Sequence, residues 1–98
     1  MNRPSTTPTC TNKTLTSANT EYSHALGANT RYWSMQCRTA FDVRYAFTTG
    51  KVATPTAPYM TMKSGGAYNC PENWQNAAAT LYLASAQAGV VVEILEWE

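Results

Sequence analysis

Charge is what this sequence has least of: seven basic and six acidic side chains among 98 residues, a net of +1. The charged share, 13%, is about half that of an average soluble domain. Nucleic-acid binding needs several clustered phosphate contacts. The nearest approach to a cluster is Arg31, Arg38 and Arg44, which strand geometry spreads over two faces. No nucleic-acid partner is expected. Long apolar runs are also missing; none approaches the ~20 residues that span a bilayer. The segment Met1-Asn2-Arg3-Pro4-Ser5-Thr6-Thr7 has no apolar stretch to act as a signal peptide. Synthesis in the cytoplasm, with no membrane partner, is the expectation.

Reactive residues are equally sparse. Cys10, Cys37 and Cys70 are odd in number and widely spaced, which fits neither a disulfide framework nor a C-x-x-C metal pair. Reduced thiols are expected. His24 is the sole histidine, and a hydrolytic triad needs a histidine within reach of both nucleophile and carboxylate. On a strand the adjacent Ser23 points to the opposite face. No G-x-S-x-G elbow surrounds Ser23, Ser34, Ser64 or Ser85. Glu93 and Glu96 differ by an odd number of positions and so take opposite strand faces, while Glu96 and Glu98 are expected to be solvated at the chain end. Ser64-Gly65-Gly66 lacks the lysine of a phosphate loop. The sequence therefore gives no catalytic site, no metal site and no cofactor, and a small-molecule ligand is not expected.

What remains is a chain built to be a β domain. Hydrophobic residues make up 44%, enough for a core, and the length suits one domain. Residues 1–12, with Pro4 and Pro8 and no large apolar side chain, read as an extended arm reaching up to ~40 Å. Residues 13–98 form the domain. Between Arg31 and Arg38, Trp33, Met35 and Cys37 alternate with Ser34 and Gln36, the pattern of a half-buried strand. Phe41, Val43, Tyr45 and Phe47 are expected to point inward, with Asp42 and Arg44 outward. Ser64-Gly65-Gly66-Ala67 signals a hairpin after Tyr59-Met60-Thr61-Met62-Lys63. Ala79–Ser85 and the run from Val90 to Trp97 complete six to eight short strands. Their spacing predicts an all-β antiparallel β-sandwich or jelly-roll-like barrel.

Outward aromatics and loop residues are the candidate contacts. Tyr32 and Tyr82 fall on the face opposite the apolar residues of their strands, and Trp74 sits in a firm loop behind Pro71. With Pro4, Pro8, Arg38 and Arg44 they make the expected interface. Such aromatics could instead stack on sugars, which gives an alternative reading as a carbohydrate- or receptor-binding module.

From about Leu15 onward the chain is similar to a group of small virion proteins of tailed bacteriophages. The likeness is carried by Asn19-Thr20-Glu21-Tyr22, by Cys37-Arg38-Thr39-Ala40 leading to Val43-Arg44-Tyr45-Ala46-Phe47, by Gly50-Lys51-Val52 and by Pro58-Tyr59. Pro71-Glu72-Asn73-Trp74, Thr80-Leu81-Tyr82-Leu83-Ala84-Ser85 and Val92-Glu93-Ile94-Leu95-Glu96-Trp97 continue it. The resemblance implies a capsid decoration or cement protein on the phage head. Its implied partners are the major capsid protein and copies of itself, in a trimer; a tail or connector location is the variant of this reading.

Overall fold

A computed structural model describes residues 7–70 and 79–97. Eight strands follow one another: β1 (Thr9–Leu15), β2 (Tyr22–Ala25), β3 (Tyr32–Cys37), β4 (Val43–Ala46), β5 (Met60–Met62), β6 (Ala67–Asn69), β7 (Thr80–Ala84) and β8 (Val90–Trp97). They form two four-stranded antiparallel sheets, ordered β1-β8-β3-β6 and β2-β7-β4-β5. Among the described residues there is no helix, and so none that could cross a membrane.

The strand order has a simple origin. β1 pairs with β8, β2 with β7, β3 with β6 and β4 with β5. The chain is thus one long hairpin, bent back at 47–59 and rolled up so that successive pairs alternate between sheets. Two further pairings, β3 with β8 and β4 with β7, lock the roll. This is the eight-stranded jelly roll.

Alternation places the core. Leu15, Trp33, Met35, Val90, Val92 and Ile94 on the first sheet meet Val43, Tyr45, Met62, Leu81 and Leu83 on the second, each at most 5% exposed. Trp33 sits at the middle of an aromatic group. Its ring lies 5.2 Å from Tyr68 and 6.2 Å, edge-on, from Phe47, and Tyr68 lies 5.6 Å from Tyr45. These separations suit tilted and edge-to-face contacts.

A smaller apolar group lies on the outside. Ala46, Ala84 and Tyr82 share the outer face of the second sheet and are covered by Val52, which is fully buried. The 47–59 connection is held there by Arg44, whose Nε donates to the Val52 carbonyl at 2.7 Å and whose Nη2 donates to Asn19 Oδ1 at 2.8 Å. Glu21 closes the same loop by accepting from Gly50 N and Thr49 Oγ1. The second sheet therefore carries its own cover. The first sheet's outer face carries no comparable loop among the described residues.

Four expectations are corrected. Residues 9–12, read as arm, form the first half of β1 and pair with β8 from Thr9↔Glu96 onward. Polar side chains hid this strand: its stability comes from backbone bonding to the most β-prone run in the chain, not from an apolar face of its own. Ser64–Ala67 does turn, with Gly66 N donating to Lys63 O at 2.7 Å and Gly65 at φ +72°. It is not a hairpin, however, because β5 and β6 belong to different sheets. Phe41 and Phe47, expected inside, are 45% and 44% exposed, since each lies just beyond an end of β4. Glu96, expected in solvent, is 7% exposed.

The inter-sheet turn is tight. Asp42 accepts from Ser64 N at 2.7 Å and Lys63 Nζ at 3.2 Å, which holds its carboxyl below the usual carboxylate range. A Cβ on Gly66 would stand 2.7 Å from the Lys63 carbonyl oxygen, closer than real Cβ contacts allow. Gly66→Ala is therefore expected to lower stability by about 1–2 kcal/mol, through a backbone shift in the turn. Chemical denaturation checks this; an unchanged midpoint would show that the turn yields freely.

Candidate binding surfaces

Strand pairing across the first sheet builds a groove on its outer face. Two rows of outward side chains cross all four strands: Cys10, Leu95, Ser34, Asn69 and, beside it, Asn12, Glu93, Gln36, Ala67. These eight residues line a depression of about 310 Å³. Small side chains at Ser34, Ala67 and Cys10 leave the space; longer ones at Gln36, Glu93 and Asn12 frame it. Within it Glu93 accepts from Gln36 Nε2 at 2.7 Å and Arg38 Nε at 2.9 Å. The Gln36 and Arg38 bonds hold the Glu93 carboxyl low. The pair cancels its own charge, so the groove is neutral, with these polar groups set in a mostly apolar lining. Next to these rows, Tyr32 and Trp97 are register partners, both half-buried.

A second surface lies at the β4–β5 end of the other sheet. Phe47 and Met60 continue the inward rows of their strands to the end of the sandwich, where they stay 44% and 60% exposed. With Pro58 and Tyr59, itself 36% exposed, they line an apolar cleft of about 230 Å³. No aspartate, glutamate, histidine, lysine or arginine is among the described residues that line it.

A third cluster is buried and polar. Glu96, on β8, reaches across to β2 and to the loop that follows it. Its Oε2 lies 2.7 Å from His24 Nε2, and its Oε1 accepts from Thr30 Oγ1 at 2.9 Å and Gly27 N at 2.9 Å. Burial pushes this carboxyl up, but the Gly27, His24 and Thr30 donations outweigh it, and it titrates below the ordinary range. The arrangement is a tie between sheets. A base held by a carboxylate is half of a hydrolytic triad, but among the described residues no serine, threonine or cysteine side chain hydrogen-bonds to His24.

The thiols offer no nucleophile in that position. Cys37 and Cys70 are buried, and burial pushes both thiols up, away from the reactive thiolate. Cys70 Sγ instead accepts from Trp33 N at 3.1 Å. Cys10 is exposed, at the rim of the groove. Among the described residues no group of three metal-ligating side chains comes together.

The residues expected to form an interface are scattered. Pro4 and Trp74 lie outside the described residues. Pro8 is half-buried where the chain enters β1, and Arg38 is exposed beside the groove. Tyr32 is half-buried and packs partly on the core. Arg44 and Tyr82 work within the fold, one pinning the 47–59 loop and the other packing beneath it. Sequence reading missed Tyr59 and Met60 because alternation assigns Met60 to the same inward row as Met62, and only the three-dimensional end of the sheet exposes it. It also missed Asn12 and Asn69, whose partners in the groove come from strands far away in the chain.

Comparison with protein-family models, with curated proteins and with solved structures gives no match.

Proposed function

We propose that the protein is a non-enzymatic virion component of a tailed phage, a decoration or cement protein that binds joints between major capsid subunits on the head surface and associates with its own copies. The apolar cleft at Phe47, Pro58, Tyr59 and Met60 is the observation that carries this reading. Exposed apolar side chains gathered in one place mark protein contacts, and aromatic and methionine side chains are enriched in them.

Three further features support it. The near-neutral surface lets many copies crowd with little repulsion. Strand addition is discouraged at the open edges: β1 carries Lys13 on its inward side, and β5 and β6 are three residues each. Contacts thus fall to side chains rather than sheet edges. Jelly rolls also recur among capsid domains, an association of architecture that adds weight without defining a site.

Mass spectrometry of purified virions from cultures that produce the chain is the test. The chain should appear in fixed proportion to the main capsid protein; its absence from particles would sink the proposal. Met60→Lys should reduce particle binding at least tenfold in co-sedimentation while shifting the melting temperature by no more than about 3 °C. Retained binding would remove the cleft from the contact.

A further inference from the structure

The groove on the first sheet shares no residue with the apolar cleft, and its chemistry differs. It carries no net charge, and its polar side chains stand among a larger apolar surface to which Cys10, Met35, Ala67, Ile94 and Leu95 contribute. Asn12, Ser34 and Asn69 each turn a hydrogen-bonding side chain toward it, and none of the three makes a side-chain hydrogen bond among the described residues. Glu93 and Gln36 between them are fixed by the Gln36–Glu93–Arg38 chain of bonds. A floor of amide, hydroxyl and carboxylate groups is thereby presented on four strands spaced ~4.8 Å apart, in rows ~6.6 Å apart.

Three properties select the occupant. Neutrality of the Glu93–Arg38 pair gives neither an anion nor a cation an advantage. The supply of both donors and acceptors, set in a floor that is mostly apolar, suits a ligand whose rim is hydroxyl and whose faces are C–H. A volume of about 310 Å³ is at the lower end of the ligand-sized range, room for one or two rings with the rest of a chain running out along the sheet. The half-buried Tyr32 and Trp97 lie where such a chain would leave, and indole and phenol rings stack on sugar C–H faces. We infer that the outer face of the first sheet is a binding groove for a neutral oligosaccharide, held by Asn12, Ser34, Gln36, Asn69 and Glu93.

The full chain, labelled with ¹⁵N, should be titrated with hexamers of β-1,4-linked glucose, α-1,4-linked glucose and β-1,4-linked N-acetylglucosamine. At least one should shift amide resonances of residues 10–12, 34–36, 67–69 and 93–95. Asn12→Ala and Asn69→Ala should each weaken that binding about fivefold, as the loss of one hydrogen bond predicts, and Met60→Lys should leave it unchanged. Shifts mapping elsewhere, binding by both asparagine variants as tight as the parent's, or no response to any of the three sugars would overturn the assignment. Particle binding by the Met60→Lys protein is read separately, so the decoration proposal and this one fail independently.

Discussion

Glu96→Ala is expected to lower the unfolding free energy by about 3 kcal/mol, the loss typical when one partner of a buried, hydrogen-bonded pair is removed. Alanine would leave the Thr30 hydroxyl, the Gly27 amide and the His24 ring without their shared acceptor. For a domain of this size that is a fall in melting temperature of roughly 12–24 °C. The same site sets an acid limit. Because the folded carboxyl titrates below its ordinary value of 4.5, Glu96 contributes stability that is complete above that value. As pH falls through the lower, folded value, the contribution disappears. Glu93 and Asp42, also held low, act in the same direction. Urea unfolding at pH 7 and pH 3 should show a smaller acid loss in Glu96→Gln than in the parent. Equal losses would mean that the tie contributes nothing to acid sensitivity.

Trp33→Ala is expected to be the most damaging single truncation, at about 3–5 kcal/mol. The side chain is fully buried and meets both Tyr68 and Phe47. Its backbone is also bonded to Cys70, N to Sγ at 3.1 Å and O from Cys70 N at 3.0 Å, so the cavity would open where β3 meets the end of β6. Against a total stability of ~5–15 kcal/mol for a natural domain, the variant would be marginal, with a broadened thermal transition and reduced near-ultraviolet circular dichroism. A loss under about 1.5 kcal/mol would show that the core closes over the gap.

Both results bear on what a sequence of this kind discloses. Trp33, Met35 and Cys37 were legible as an inward row because strand alternation is local, and the same rule revealed Leu81 and Leu83. Alternation stops at strand ends, which is why Phe41 and Phe47 were misassigned. β1 was hidden because its partner, β8, lies some eighty residues away and supplies the pairing that its own polar side chains do not advertise. Glu96 was placed in solvent for a similar reason: nothing near it in sequence signals that His24, Gly27 and Thr30 fold over it. The binding groove illustrates the general limit. Its rows run across strands, and their members, such as Asn12 beside Glu93 and Ser34 beside Asn69, become neighbours only when the hairpin is rolled. Side-chain direction can be inferred along one strand; adjacency between strands depends on topology.

The resulting picture is of a jelly roll with one sheet covered by its own loop, the other bearing no such cover among the described residues, and an apolar cleft at one end offered to a neighbour. A cryo-electron microscopy map of the assembled particle, at a resolution that places side chains, tests it most directly. Tyr59 and Met60 should be packed against a capsid subunit or another copy. Density showing both side chains facing solvent, with the particle contact made elsewhere on the domain, would contradict it.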